Sequence, residues 1–193
     1  MKTVEQLYVD SIEVKGSKFI SHLMPVSMFD EEMARLRAEH PKAVHWVSAS
    51  RSLNEFDQIV ESSSDDGEPR GTSGKPTLAV LQGHELINTA IITVRYFGGT
   101  KLGPGGLVRA YADAANVAVD AAELFPYEKR FVRRFGCEYK NVSIVEYEME
   151  RSGVRCAAKT FGEKGAEFTV EGTGENLDQL YGALGRSIVP KEP

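Results

Sequence analysis

Little in this chain points to an oxidising compartment, a bilayer or a nucleotide-binding loop. Of its 193 residues only two are cysteines, Cys137 and Cys156, far apart and set in apolar-patterned segments. Neither a CxxC pair nor a Cys/His ligand spacing is present, which argues against structural zinc and for two reduced, buried thiols. No apolar run is long enough to span a bilayer, and the opening MKTVEQLYVDSIEVKGSKF lacks the apolar core of a signal peptide. A soluble, cytoplasmic protein with no membrane partner is expected. The phosphate-binding signatures fail in turn. GTSGKP puts Pro76 where a P-loop needs a Ser or Thr to hold magnesium, and GPGGLV puts Val108 where the dinucleotide fingerprint needs its last glycine. A G-x-S-x-G nucleophile elbow occurs nowhere.

What is present is charge that has been sorted along the chain. The formal net charge of -5 argues against indiscriminate nucleic-acid binding by the whole surface. Between Glu55 and Glu68 every charge is acidic, whereas Arg95, Lys101 and Arg109 stand in a stretch without a carboxylate. A second basic cluster follows at Lys129, Arg130, Arg133, Arg134 and Lys140. Basic segments on an acidic protein mark a localised anionic partner.

Periodicity outlines an α+β chain of two domains, 1–126 and 127–193, divided at Phe125-Pro126. Two strands, 11–15 and 18–26, flank a Gly16-Ser17 turn. Ser27 is placed to cap a helix whose stripe is Phe29, Met33 and Leu36, and His40-Pro41 ends it. A strand over 43–49 carries His45 and Trp46 on opposite faces. His45 reads as a ligand or base, or as a structural histidine without a partner motif; Trp46 reads as a stacking platform or as packing. Residues 52–75 form a polar segment expected to be a functional loop or a mobile segment. Pro76 then opens a short helix bearing Leu78 and Leu81, stopped by Gly83. The apolar run 90–97 predicts a central strand covered on both faces. A helix from Leu107 to about Glu123 follows, with Val108, Tyr111, Ala115 and Val119 as its buried stripe. The first domain is expected to be a mixed sheet with helices on one face. The second reads as a strand over 131–139, a helix over 142–151, strands over 154–161 and 166–171, and a helix from about Asn176. That βαββα order is ferredoxin-like, with the final strand lacking or shortened.

The chemistry concentrates between Asp65 and Tyr111. A glycine-rich turn feeding a helix start presents unpaired N–H groups and the positive end of the helix dipole. Gly98, Gly99, Gly105 and Gly106, together with Arg95, Lys101 and Arg109, therefore form an expected anion or nucleic-acid site, which Arg133 and Arg134 would extend. The bland alternative is glycines that only permit tight turns and cations that are only solvated. Asp65, Asp66 and Glu68 are catalytic candidates if they hold Mg²⁺ or act as acid and base. The alternative, which the lack of further ligand spacing favours, is a turn that clasps Arg70, Lys75 or the later arginines; neither a metal site nor a cofactor is then needed. In KRFVRRFGCEYK, alternation puts Phe131, Arg133, Phe135 and Cys137 on one strand face and Arg130, Val132 and Arg134 on the other. This is either a base-stacking surface or, as is commoner, a core face with a basic back.

DDGEPRGTSGKP, Asn88 before the apolar strand, VRYFGGTKLGPGGLVRAY, and the earlier GSKFISHLMPV and HPKAVHW resemble the YigZ/Impact family over residues 1–125 or so. The chain departs from the family pattern at Arg70, at Ser73 and over 46–48. The remainder is similar, more loosely, to the small ferredoxin-like domain of bacterial members, itself similar to the last domain of elongation factor G. The resemblance implies a first domain with the fold of a small-subunit ribosomal protein and of the fourth domain of elongation factor G, both of which handle RNA. It also implies a tie to translation, since the eukaryotic Impact proteins compete for the activator of a kinase pathway that controls initiation. The leading expectation is a non-enzymatic factor that contacts RNA or the ribosome. The alternatives are a Mg-dependent hydrolase or transferase acting on a phosphorylated small molecule, and a module that binds a translation-related protein.

Overall fold

The computed structural model describes residues 1–191, so the last two residues of the expected second domain, 127–193, lie outside the described residues. The chain forms two compact units, Met1–Tyr127 and Glu128 onward. In the first unit, β1 (Lys2–Thr3) pairs with β7 (Phe125–Pro126). The main sheet comprises β2 (Tyr8–Val14), β3 (Ser17–Pro25), β4 (His45–Leu53), β5 (Ile59–Ser64) and β6 (Thr89–Tyr96), in the order β2-β3-β6-β4-β5. Its helices are α1 (Phe29–Glu39), α2 (Gly74–Gly83) and α3 (Gly103–Asp120).

β6 is the centre of that sheet, and burial of every residue from Thr89 to Arg95 accounts for its apolar run. Its side chains alternate between two helical layers. Ala90, Ile92 and Val94 join Met24 and Leu36 under α1, while Ile91 joins Leu23, Ala49, Leu81 and Ala115 under α2 and α3. The α+β class stands, with two differences of detail. Helices cover both faces of this sheet rather than one, and every pairing in it is antiparallel rather than mixed. A doubly covered strand shows the same continuous apolar run whatever the direction of its neighbours, so the sequence pattern does not report direction.

Several boundaries moved for identifiable reasons. Within the polar segment 52–75 lies β5, an edge strand exposed at every residue; its main-chain ladder to β4 leaves no burial signal in the sequence. Ser27 lies in a 3₁₀ turn, Val26–Met28, and no side chain caps α1. Helix α3 begins at Gly103, ahead of the expected Leu107, so GPGG forms its first turn with Pro104 in a position that tolerates a missing N–H. The inward residue there is Leu107, while Val108 is 39% exposed. Gly98 has a specific steric role: a Cβ there would stand 1.9 Å from the carbonyl carbon of Gly16. Only glycine lets the β2–β3 turn lie against the loop that leaves β6, and the Gly98 N–H then donates to Ser17 Oγ at 3.1 Å.

The second unit contains β8 (Arg130–Glu138), α4 (Val142–Arg151), β9 (Arg155–Phe161), β10 (Gly165–Thr173), α5 (Gly174–Leu184) and β11 (Ile188–Lys191). Its antiparallel sheet runs β11-β8-β10-β9. The order is thus βαββαβ, the ferredoxin-like arrangement with its final strand present but only 4 residues long. Both helices pack on one face, where Phe135, Phe168 and Val170 meet Val145 and Met149 of α4 and Leu177, Leu180 and Leu184 of α5. Thr173 starts α5 by accepting the Asn176 N–H at 3.2 Å. Among the described residues no helix is long and apolar enough to cross a membrane.

Candidate functional site

The loop between β5 and α2 is built from three carboxylates with three different tasks. Asp65 Oδ2 accepts the N–H of Gly71 at 2.7 Å. Its Oδ1 accepts Ser73 N–H at 3.2 Å, Ser73 Oγ at 2.7 Å and Gly74 N–H at 2.8 Å. It therefore caps α2 from outside the helix. Burial acts to raise its pKa, but these hydrogen bonds together outweigh burial and hold the carboxyl below its ordinary value. Gly74 is required at this junction, since a Cβ would lie 2.8 Å from the carbonyl carbon of Ser64.

Asp66 and Gly67 turn the chain through left-handed backbone, with φ of 43° and 88°. The Asp66 carboxylate accepts Trp46 N–H at 2.7 Å and pairs with Arg37 at 2.9 Å; Arg37 in turn lies 4.9 Å from the centre of the Trp46 ring. Glu68 is buried. Its Oε1 accepts hydrogen bonds from Arg95 Nη1 and from Tyr111 Oη, the latter at 2.8 Å, and its Oε2 lies 3.7 Å from His45 Nε2. The other ring nitrogen of His45 lies 2.8 Å from the Asp66 carbonyl oxygen. The acidic turn is thus a clasp, though its cations are Arg37 and Arg95 and not Arg70 or Lys75. Among the described residues no three His, Cys, Asp or Glu side chains are grouped to hold a metal ion.

Arg95 departs from expectation. Its charge does not emerge free at the end of β6: the residue is 5% exposed and its guanidinium faces Glu68. The cause is alternation, which puts Arg95 on the same sheet face as Phe19 beneath α3. Its guanidinium carbon lies 5.4 Å from the Phe19 ring centre and 5.9 Å from that of Phe97, a half-exposed residue. Tyr111 reaches the same carboxylate from α3, and burial, with the Glu68 charge beside it, pushes its phenol well above the ordinary range. A buried charge pair of this kind is strongly destabilising to break from one side, at about 3–5 kcal/mol.

Above this group opens a cleft of about 320 Å³, walled by Pro69, Phe97, Leu102, Pro104 and Leu107, with Lys101 at its edge and Glu68 and Arg95 among its lining. Gly103 to Gly106 bring the first turn of α3 to it, and no side chain caps that turn. Lys101 and Arg109 are exposed and, among the described residues, form no ion pair. The structure therefore gathers Arg95, Lys101 and the start of α3 at one cleft, with Gly98 and Gly99 on the loop leading to it and Arg109 exposed on α3. Arg133 and Arg134 belong to the second unit and occupy opposite faces of β8. Arg133 pairs with Asp178 at 3.0 Å and lies 5.3 Å from the Tyr181 ring centre. Phe135 and Cys137 are core, as the commoner reading of that strand expects.

Sequence reasoning missed Pro69, Phe97, Leu102, Pro104 and Leu107 as cleft walls, and His45 as a neighbour of Glu68. The signal for His45 existed only in the pairing of β4 with β6, which puts His45 opposite Arg95.

Comparison with known proteins agrees with this architecture. Residues 15–119 match the family model described as the Impact N-terminal domain. An IMPACT family member of Haemophilus influenzae is 35% identical over 152 residues, which cover 77% of this chain and 74% of that protein. The IMPACT family member YigZ of Escherichia coli is 37% identical over 143 residues, covering 69% and 67%. A crystal structure described as that of a hypothetical protein is similar over 100% of this chain and 96% of its own, with a TM-score of 0.67 at 26% identity. The matched region holds the clasp, the buried Glu68–Arg95 pair and the glycine-rich start of α3, and the chain belongs to the Impact family.

Proposed function

We propose that this protein is a non-enzymatic, cytoplasmic factor that binds RNA or the ribosome and takes part in regulating translation. In this reading the Impact-type domain, 1–126, makes the principal contact, and Arg133 and Arg134 of the ferredoxin-like domain, 127–193, are further phosphate-contacting residues. The observation that carries the reading is an exposed cation, Lys101, without an ion pair among the described residues, beside an uncapped glycine-rich helix start at one cleft, with a second such cation, Arg109, farther along α3. Phosphate meets there both the backbone N–H groups and the positive end of the α3 dipole. Family membership supports the link to translation, and a regulatory protein partner is compatible with the same surface. The reading as phosphoryl chemistry lacks comparable support, because Asp65, Asp66 and Glu68 each face separate protein partners.

Binding should weaken as salt rises, since each neutralised phosphate releases counterions, with a slope near 0.7 per contact for single strands. Fluorescence anisotropy of a labelled oligoribonucleotide at low and moderate salt measures this. The double variant Lys101→Glu/Arg109→Glu should lose most of the affinity and flatten the slope. Salt-independent or undetectable binding at low ionic strength would refute the reading.

A further inference from the structure

The cleft at the start of α3 has features that a simple phosphate-contacting surface does not need. Its walls are apolar, from Pro69, Phe97, Leu102, Pro104 and Leu107. Phe97, immediately after β6, is 49% exposed, so its ring can be reached from solvent. Arg95, nearly fully buried, lines the same cleft, and its Nε–H has no partner among the described residues. Its partner Glu68 lines the cleft as well, and Glu68 Oε2 lies 3.7 Å from His45 Nε2. The buried Arg95–Glu68 pair thus lies beneath an apolar slot that cationic Lys101 and the first turn of α3 also line.

We propose that this cleft receives the base of one unpaired nucleotide in single-stranded RNA, an inference that rests on the reading of the protein as an RNA binder. The polar edge of a base carries donors and acceptors in adjacent positions, complementary to the cation and carboxylate of the Arg95–Glu68 pair. Its flat face suits stacking on the Phe97 ring, and its phosphate falls to Lys101 and the first turn of α3. A volume of about 320 Å³ is at the small end of ligand pockets and admits one base, not a duplex. In a double helix the base edges are paired and stacked away, so the cleft makes the protein selective for single strands. The two contacts differ in kind: the cations supply affinity for any phosphate chain, and the cleft supplies discrimination by pairing state.

The test uses the full chain with a labelled single-stranded oligoribonucleotide and the same sequence annealed into a blunt duplex. The wild type should prefer the single strand. Phe97→Ala should weaken single-strand binding about 5- to 150-fold, the range that loss of base–aromatic stacking spans, and leave duplex binding unchanged. Phe97→Tyr, which keeps the ring, should bind as the wild type does, which separates stacking from any effect on folding. Equal affinity for single strand and duplex, or a Phe97→Ala variant that binds the single strand normally, would overturn the cleft proposal while leaving the RNA-binding reading intact. Failure to bind either RNA at low salt would overturn both.

Discussion

The two units each set an arginine on the helix-covered face of an antiparallel sheet, and the surroundings give the two arginines opposite characters. Arg95 of β6 lies in a sheet with helices on both faces, and its partner Glu68 is equally buried, with side-chain exposures of 6% and 3%. Arg133 of β8 lies in a sheet covered on one face, and its pair with Asp178 is open to solvent, at 40% and 73%. Dielectric decides the difference. Water screens the second pair and little of it reaches the first, so the same two functional groups form a rigid element in one unit and a minor surface contact in the other. A basic residue counted in a sequence is therefore not equivalent to a cation available to a ligand.

The sharpest way to break this comparison is to remove one partner of the buried pair. Glu68→Ala leaves Arg95 uncompensated and Tyr111 without its acceptor, and should cost about 3–5 kcal/mol in chemical denaturation. Replacing both partners with apolar residues, as in Glu68→Leu/Arg95→Met, should recover much of that loss, because the main cost lies in an orphaned buried charge. A double variant as unstable as the single one would show that the pair is not the source.

A second test uses the other face of the same covered sheet. His22 lies on β3 beneath α1, facing Glu32, Arg35, Glu39 and His40, and neither of its ring nitrogens has a partner among the described residues. Burial first, and then the Arg35 charge, lowers its pKa to about 4. The unfolded chain takes up this proton near pH 6.5 and the folded chain only near pH 4, so protons favour unfolding between those values. Stability should fall as the pH drops through that window, by about 3 kcal/mol at its lower end. The variant His22→Leu should show a flatter profile over the same range; an unchanged slope would sink the assignment. The smallest effect belongs to the second unit. Arg133→Ala should cost no more than about 1 kcal/mol, less in high salt, as measured by thermal unfolding. A larger loss would mean that the Arg133 pair is less solvated than its exposure indicates.

Much of this architecture was legible from pattern alone. The helix over 142–151 coincides with α4, because Val145 and Met149 recur at helical spacing on one face. The strand at 90–97 is β6 to within a residue, because a doubly covered strand cannot carry polar side chains without partners. The glycines of 98–106 announced a turn feeding a helix, although Pro104 and three glycines disguised the first turn of α3 as loop. Illegible elements share one property, that a partner distant in sequence specifies them. β5 is held by the β4 ladder, and β11, four residues long, by β8.

By itself the sequence determined the α+β class, the identity of the buried strands and helices, and the stretch in which charge and glycine meet, since apolar periodicity and backbone freedom are local properties. Only the tertiary structure decided which of those charges a ligand could reach. Strand alternation turned Arg95 inward to Glu68, the loop capped by Asp65 brought Glu68 to meet it, and α3 closed over both with Tyr111, while Lys101 and Arg109 stayed in solvent. Burial and pairing arise from residues far apart along the chain, and no local pattern encodes them.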